Sequence, residues 1–512
     1  MGRSYGLGFA SILLAVTVGQ AAGIHETTTD AVWSWESNVA KAYVAEALNP
    51  AGDVNGDDYD DFILGSFYWA TDNQDFQRGR AWLFYGSDTG PSTTPDVTFS
   101  SPTSDAYGWF GQEAIGVGDV NTDGYDDVLI AMPNYENSGF ADEGGVFVYY
   151  GSDSGISQSP NWSARGNATW AHLGFGAGPA GDVNGDGYDD IIAGANSPTQ
   201  NGCVTEVAYV WYGSATGLDT GSRPLGLPAN ADWSATDDQS CSGFGRHTGT
   251  AGDVNGDGYD DIFIAAPLYD EGQTNEGMAF VWYGSDSGLG TSGTPSNADW
   301  SAEGNQVEAG LANNSNTPGI SSAGDVNGDG YDDLAISAFE FDGTASRQGM
   351  VALWLGSAAG LTAGDPDWVL VGENEGDVVG YNLSSAGDFN GDGYDDLILA
   401  AHSYDRPDRP GESGHGRVMI WFGSPGGMLE YSLYDYADCL IDGEMADNPI
   451  GITVSGVGDV DGDDLDDVAV GAWYYDNPEE DEGIVYGFRG LPIAFADNFE
   501  SGDSLRWSFT IP

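Results

Sequence analysis

The sequence predicts an all-β fold, a seven-bladed β-propeller whose blades each contain four strands. An acidic loop of the form GDVNGDGYDD recurs seven times, and the steps between successive copies are 63 to 72 residues long. Four short runs rich in Val, Ile, Tyr and Trp accompany each copy, bounded by Gly, Asp and Asn. Runs of this length and composition indicate β-strands. Four strands repeated at one period are typical of propeller blades, so the chain is predicted to form one architecture instead of several domains.

The composition excludes some classes of partner. The chain has 512 residues, with 81 Asp and Glu against 13 Lys and Arg, and a net charge of −68. Phosphate recognition needs a basic surface, so we predict no nucleic-acid partner. The same charge disfavours adsorption to anionic lipid. A hydrophobic content of 40% with 12% aromatic residues is too high for a disordered acidic chain, so we expect a packed core.

Residues 1–22 have the order of a secretory signal peptide. Arg3 precedes an apolar run from Leu7 to Val18, and small residues follow it. The run is too short to span a bilayer, and no later stretch reaches about 18 apolar residues. We therefore expect a secreted or cell-surface protein without membrane insertion. A retained membrane anchor is the alternative.

Each repeat contains the four strands in one order. A Gly- and Ala-rich stretch before the acidic loop is the first strand, because small residues suit the crowded centre of a ring. The apolar run after the loop, such as DDIIAGA, is the second strand. A variable polar loop then leads to the third strand, such as VFVYYGS, and a Trp-containing stretch such as ADWSA is the fourth. We assign residues 30–492 to the propeller and 493–512 to a C-terminal tail.

The Trp residues predict how the ring closes. Trp162, Trp233 and Trp368 each lie 20 residues before the first Asp of the next loop. Trp33 lies 20 residues before the first loop, which begins at Asp53, whereas no such stretch follows the last strand. The N-terminal strand should therefore complete blade seven, and an open array with an unpaired strand is the alternative. The regular register also predicts that these aromatic residues form core between blades and not sugar-stacking platforms.

The acidic loops carry the oxygen ligands that calcium prefers. Counted from the first Asp, side-chain oxygens stand at positions 1, 3, 5 and 9, and the backbone carbonyl at position 7 can join them. An EF-hand loop needs an acidic residue at position 12, where all seven copies carry an apolar residue, so position 9 must close the site. An all-oxygen set disfavours zinc and copper. The alternative is seven acidic turns held only by Asx-type hydrogen bonds.

The sequence thus predicts up to seven calcium ions, one in each loop. We expect the Asp at position 8 to face solvent or to orient the ligands. The predicted ligands in chain order are Asp53, Asn55, Asp57, Tyr59, Asp61, Asp119, Asn121, Asp123, Tyr125, Asp127, Asp182, Asn184, Asp186, Tyr188, Asp190, Asp253, Asn255, Asp257, Tyr259, Asp261, Asp325, Asn327, Asp329, Tyr331, Asp333, Asp388, Asn390, Asp392, Tyr394, Asp396, Asp459, Asp461, Asp463, Leu465 and Asp467.

The loops and their flanks resemble FG-GAP repeats, which build the seven-bladed propeller of integrin α subunits. The resemblance covers about residues 30–490 and rests on Phe-Gly pairs, the GDxNxDGxxDD loop and the apolar run that follows it. It implies an extracellular calcium-binding propeller. Integrins bear such sites in a few blades, whereas all seven look competent here. The pairs are Phe110-Gly111, Phe175-Gly176 and Phe244-Gly245, with Gly380-Tyr381 and Ile450-Gly451 in later blades.

Two classes of function fit the sequence. The first is a monomeric binding or adhesion scaffold for an extracellular protein or glycan, and the alternative is a carbohydrate-active enzyme or lectin. No motif of a known catalytic centre is present, so an enzyme is the less favoured reading. In either case binding should use the variable loops opposite the calcium loops. Arg406, Arg409 and Arg417 of blade six are predicted to supply a cationic contact there.

The three cysteines are predicted to form one disulfide and one free thiol. Cys203 and Cys241 lie in loops on the same face of adjacent blades, so we expect them to be bonded. Cys439 occupies the outer-strand position that is aromatic in other repeats, and it should be a buried thiol.

Overall fold

The computed structural model describes residues 24–70, 77–103, 107–137, 139–198, 204–218, 225–313, 318–428 and 437–492. Their regular structure is β-strand, apart from two short 3-10 helices at Pro228–Asn230 and Pro295–Asn297. None of the helices in these ranges has the length and apolar character needed to cross a bilayer. The predicted signal peptide at 1–22 and tail at 493–512 lie outside the described residues.

Seven antiparallel sheets form the blades, as predicted. Blade one contains β3 (Ala47–Gly52), β4 (Asp61–Ser66), β5 (Arg80–Phe84) and β6 (Val97–Ser100). Blade two contains β7 (Ala114–Gly116), β8 (Val128–Met132), β9 (Gly145–Tyr149) and β10 (Trp162–Arg165). Blade three contains β11 (Ala177–Gly181), β12 (Asp190–Pro198), β13 (Val204–Trp211) and β15 (Trp233–Thr236). Blade four contains β16 (Thr248–Gly252), β17 (Asp261–Ala266), β18 (Met278–Trp282) and β19 (Trp300–Glu303).

The remaining three blades follow the same order from the centre outward. Blade five contains β20 (Ile320–Gly324), β21 (Asp333–Ala338), β22 (Met350–Trp354) and β23 (Trp368–Val371). Blade six contains β24 (Val379–Gly387), β25 (Asp396–Ala401), β26 (Arg417–Trp421) and β27 (Cys439–Asp442). Blade seven contains β28 (Thr453–Gly458), β29 (Asp467–Ala472) and β30 (Ile484–Phe488), and its outer strand is β2 (Trp33–Glu36).

The N-terminal strand closes the ring. β2 pairs antiparallel with β30, and the register places Trp33 opposite Gly487 and Glu36 opposite Ile484. The innermost strands contact one another in cyclic order, and β28 of blade seven contacts β3 of blade one. Blade seven therefore takes its fourth strand from the other end of the propeller, which confirms the predicted closure.

Two blades carry a fifth strand that the sequence did not predict. β1 (Ile24–Thr27) pairs parallel with β27 of blade six, and β14 (Leu225–Gly226) pairs parallel with β10 of blade two. In both cases the segment that precedes the outer strand of one blade adds to the outer strand of the preceding blade. These short pairings tie neighbouring blades together at the rim.

The hydrophobic core lies between the blades. Each outer-strand Trp packs edge-on against an aromatic ring on the third strand of the next blade. The ring centroids of Trp162 and Trp211 are 5.7 Å apart, and those of Trp233 and Trp282 are 5.6 Å apart. Trp300 and Trp368 repeat the arrangement in blades four and five. The prediction that these rings form core between blades is therefore confirmed.

The described cysteines agree with the sequence analysis. Cys439 is a free thiol with no exposed surface, in the outer strand of blade six, and burial raises its pKa well above its ordinary value. Cys241 is disulfide-bonded. Cys203, its predicted partner, lies outside the described residues, so that pairing stays a prediction.

The structure corrects the position of one Phe-Gly pair, in blade three, and of the pair that replaces Phe-Gly in blade six. Phe110 of blade two forms a β-bridge to the start of the third strand of blade one. Leu173 makes the equivalent bridge in blade three, two residues before Phe175, and Val379 makes it in blade six. The ring of Phe175 instead lies 5.4 Å from the guanidinium of Arg246. The corrected pairs are Leu173-Gly174 and Val379-Gly380, in place of Phe175-Gly176 and Gly380-Tyr381.

Candidate metal centres

Each acidic loop joins the first two strands of a blade and wraps around its first carboxylate. In loop three, Asp182 accepts hydrogen bonds from the backbone N–H groups of Asp186 at 3.1 Å and Gly187 at 2.8 Å. Asp186 in turn accepts one from the N–H of Tyr188 at 3.2 Å. Asx-type hydrogen bonds are thus present, as the alternative reading required. A carboxylate oxygen that accepts one such bond retains a lone pair for a metal ion.

The carboxylate at position 9 is buried in every loop. Asp190 has no exposed surface and accepts hydrogen bonds from Gly213 N–H at 2.8 Å and Val183 N–H at 3.2 Å. Burial raises the pKa of Asp190 to about 9 and that of Asp467 to about 7. Burial raises the pKa to about 8 in the five others, which are Asp61, Asp127, Asp261, Asp333 and Asp396.

These raised pKa values indicate that protein atoms alone do not supply enough positive charge or hydrogen bonding to keep the carboxylates at position 9 ionised. A buried carboxylate remains ionised at neutral pH only when nearby positive charge or sufficient hydrogen bonding offsets desolvation. The backbone donors around position 9 offset only part of that cost, and neighbouring loop carboxylates add repulsion. A bound cation would keep these groups ionised.

The oxygens at position 3 also fit a cation. The buried Oδ1 atoms of Asn327 and Asn390 accept no hydrogen bond from the described residues. In loop seven, position 3 is Asp461, and its ligand atom lies within 4.8 Å of those of Asp459 and Asp463. Every side-chain donor of these sites is a hard oxygen, which suits calcium and not a soft transition metal.

The tyrosine side chains at position 7 serve packing between blades, which the sequence analysis did not predict. A β-carbon on Gly185, at position 4 of loop three, would lie 2.3 Å from Cε1 of Tyr259 in loop four. The tyrosine ring thus covers the loop of the preceding blade at position 4, which is Gly in six loops and Thr122 in loop two. Its backbone carbonyl remains the predicted metal ligand.

The carboxylate at position 8 links adjacent loops. Asp260 Oδ2 of loop four accepts a hydrogen bond from Asp182 N–H of loop three at 2.8 Å. The N–H of Asp260 donates to the carbonyl of Asp182 at 3.2 Å. Of the two roles predicted for position 8, facing solvent or orienting the ligands, the structure supports the second, because this group holds the first ligand residue of the preceding loop. The seven pairs are Asp53–Asp126, Asp119–Asp189, Asp182–Asp260, Asp253–Asp332, Asp325–Asp395, Asp388–Asp466 and Asp459–Asp60.

We call these seven links the carboxylate belt. The belt explains the glycine before each loop. Gly181 has a φ of +70°, and a β-carbon there would lie 2.3 Å from Asp260 Oδ2. The belt also gathers negative charge around the axis. Burial raises the pKa of Asp189 to about 6, and the carboxylates of Asp260 and Asp126 add to the rise.

The arginines of blade six do not form the predicted free cationic contact. Arg417 is buried and donates to both oxygens of Asp442, at 2.6 and 2.9 Å. Arg406 forms ion pairs with Asp408 and Glu444, and Arg409 also pairs with Glu444. The prediction is wrong because acidic partners within the same region neutralise all three cations.

The face opposite the acidic loops has the exposed apolar side chains. Six of the seven exposed large hydrophobic residues in the described ranges lie on loops of this face. The six exposed residues are Tyr107, Trp170, Leu268, Val307, Met445 and Tyr474.

A central cavity of about 370 Å³ is lined by Glu46 and Glu113, among others. Burial raises the pKa of Glu113 to about 8.

Comparison with known proteins agrees with this geometry. The sequence matches the FG-GAP repeat at residues 176–211, 244–282, 318–354 and 379–419. The chain thus contains FG-GAP repeats. The four matches fall in blades three to six of the seven-bladed ring.

Curated relatives are similar to the FG-GAP propeller over part of their length. Integrin alpha-PS2 of Drosophila melanogaster is 32% identical over 252 residues, 47% of this chain and 17% of that protein. Integrin alpha-V of Gallus gallus is 30% identical over 243 residues, 46% of this chain and 20% of that protein. Phosphatidylinositol-glycan-specific phospholipase D of Rattus norvegicus is 29% identical over 201 residues, 38% of this chain and 23% of that protein. The chain thus spans less than a quarter of each of these relatives.

Proposed function

We propose that this FG-GAP propeller is a secreted, calcium-binding scaffold that binds an extracellular protein or glycan. The observation that carries the calcium proposal is the buried carboxylate at position 9 of every loop. Five residues of each loop would hold one ion, through side chains at positions 1, 3, 5 and 9 and the carbonyl at position 7. A bound calcium ion supplies positive charge that stabilises the ionised carboxylates and the loop around them.

The relatives support an extracellular binding role. Integrin alpha chains from several animals are similar to this chain over up to about half of it. The phospholipase D relatives carry the name of an enzyme, but the chain covers 23% or less of their length. That partial match supports a propeller fold and gives no support for enzymatic activity. We therefore propose a binding function.

Binding should use the face opposite the acidic loops. The exposed side chains Trp170 and Tyr474 lie on this face, on loops that differ in sequence. Exposed aromatic residues on variable loops are common anchors in protein and glycan recognition. The acidic loops, by contrast, are nearly identical in all seven blades and offer little to distinguish ligands.

Calcium binding is tested by thermal unfolding in millimolar calcium and in chelator. One site occupied at 100 times its dissociation constant adds about 2.7 kcal/mol to the free energy of unfolding. Calcium should therefore raise the midpoint, and Asp190→Asn should reduce the rise because it removes a ligand. Asp286→Asn is the control, since Asp286 is exposed on a loop outside the proposed ligands. An identical midpoint with and without calcium would contradict the proposal.

The binding function is tested with a glycan array and an extracellular protein panel, together with a screen for polysaccharide cleavage, all in calcium. A Trp170→Ser/Tyr474→Ser variant should lose binding while Asp286→Asn keeps it. Cleavage of a polysaccharide by the purified chain would favour an enzyme instead. Asp286 lies between β18 and β19, on the same face as the acidic loops. Loss of binding in the Asp286 variant alone would therefore place the site on that face and contradict the proposal.

A further inference from the structure

Loop seven and the third strand of its blade each carry an unusual residue, and the two residues meet in space. Position 3 carries Asp461, where the other loops carry Asn. Arg489 occupies the end of the third strand, directly after β30, where the other blades carry an aromatic or aliphatic residue. Those six residues are Tyr85, Tyr150, Tyr212, Tyr283, Leu355 and Phe422.

The two unusual residues form an ion pair. Arg489 Nε contacts Asp461 Oδ2, and the Asp461 side chain is buried whereas that of Arg489 is 47% exposed. Asp461 Oδ1 accepts no hydrogen bond from the described residues and lies in the group formed with Asp459 and Asp463. The guanidinium therefore reaches the edge of the same site from the solvent side.

The formal charge of loop seven, counted with both Asp461 and Arg489, equals that of the other six loops, which have neither residue. Six loops place three Asp carboxylates among the proposed ligands, a formal charge of −3. Loop seven places four, at Asp459, Asp461, Asp463 and Asp467, and the guanidinium of Arg489 returns the total to −3. The extra carboxylate is thus neutralised by a covalently attached cation, which is present whether or not calcium is bound.

We propose that Arg489 is an internal counter-ion that makes loop seven the weakest calcium site of the ring. The inference rests on the proposed calcium function and adds a regulation to one of its sites. Calcium at loop seven must share Asp461 with the guanidinium and must overcome its repulsion. A unit charge about 6 Å from a divalent ion changes affinity by about tenfold even at the dielectric constant of water.

The location gives this difference a consequence. Blade seven is the blade that the N-terminal strand completes, and Arg489 directly follows the strand with which β2 pairs. At low calcium, Asp461 keeps a partner and the closing blade retains a neutralised carboxylate. Blade seven, which closes the ring, then depends less on its own calcium ion than each of the other blades depends on its ion.

The test is a calcium titration of the full chain, in which native mass spectrometry counts the bound ions at each buffered concentration of free calcium. Wild type should fill six sites before the seventh. Arg489→Gln should fill the seventh at about tenfold lower calcium. Asp461→Asn/Arg489→Gln, which recreates the arrangement of the other loops, should fill all seven over one range. Arg489→Lys keeps the charge and should behave as wild type.

Lys41→Gln is the matched control, because it removes one exposed positive charge away from the acidic loops and should leave the titration unchanged. Circular dichroism confirms that each variant is folded. An Arg489→Gln variant whose last site fills at the same or higher calcium would overturn the inference while calcium binding itself stands. If no variant and no wild-type sample binds calcium, the proposed function fails and the inference fails with it.

Discussion

The carboxylate belt predicts an energetic coupling between two residues that are distant in sequence. Asp260 accepts a hydrogen bond from the backbone of loop three, and Gly181 provides the space for its carboxylate. Gly181→Ala should displace the Asp260 carboxylate, because the new β-carbon would lie 2.3 Å from Oδ2. Gly181→Ala and Asp260→Ala should therefore remove the same contact, and their effects should not add.

The magnitudes follow from the contacts. A hydrogen bond to a charged acceptor contributes about 1.5–3 kcal/mol, and relief of repulsion from Asp182 and Asp253 lowers the net cost of Asp260→Ala to about 1–2 kcal/mol. Gly181→Ala adds a left-handed conformation at a cost of about 1–2 kcal/mol, for a total of about 2–4 kcal/mol. The double variant should lose the contact only once, so the coupling energy should be about 1–2 kcal/mol.

Urea unfolding, followed by Trp fluorescence in saturating calcium, measures these free energies. Gly393→Ala is the matched control, because Gly393 of loop six has a φ of +87° and no described atom lies within 4 Å of a β-carbon there. Its cost should add to that of Asp260→Ala within about 0.5 kcal/mol. If Gly181→Ala and Asp260→Ala also add within that margin, the belt does not couple the loops as described.

Three further predictions follow from the buried groups. Trp233→Ala should lower the free energy of unfolding by about 3–5 kcal/mol in urea, since it empties the contact with Trp282, whereas Trp170→Ala at an exposed site should change it little. Arg417→Met should cost about 3–5 kcal/mol in the same assay, because buried Asp442 would keep only the half-exposed His25 as a partner among the described residues, and adding Asp442→Leu should recover most of the loss. Because burial raises the pKa of Glu113 to about 8, its protonated form is favoured by folding, and stability should fall as pH rises from about 4.5 to 8. Glu113→Gln should therefore resist urea better than wild type at pH 8 in saturating calcium and equally at pH 5; a larger advantage at pH 5 would contradict this reasoning.

The strands and the closure of the ring could be predicted because their signals are local and repeated. The 20-residue spacing between Trp33 or Trp233 and the next loop covers only an outer strand, the connection to the next blade and the first strand of that blade, so it can be counted along the chain. The fifth strands could not be predicted, because β14 has two residues and leaves no alternation to detect. The Phe-Gly pair of blade three was misplaced because LGFG contains two candidate pairs two residues apart.

The site was predictable in its ligands and not in its surroundings. Side-chain oxygens at fixed spacing can be counted in one loop, so the proposed ligands came from the sequence. The role of Asp260 depends on an amide 78 residues away in the neighbouring blade, and nothing local marks it. The same limit hid the partners of the arginines, since Arg417 and Asp442 are 25 residues apart and meet only when β26 pairs with β27.

The number of calcium ions bound per chain tests the central proposal most directly. After equilibrium dialysis against saturating calcium, elemental analysis of the full chain should give seven ions per molecule, because each of the seven loops presents a complete set of oxygen ligands. Asp190→Asn should lower the count to six, and Asp286→Asn should leave it at seven. A wild-type count near zero, or a count that Asp190→Asn does not change, would contradict the account.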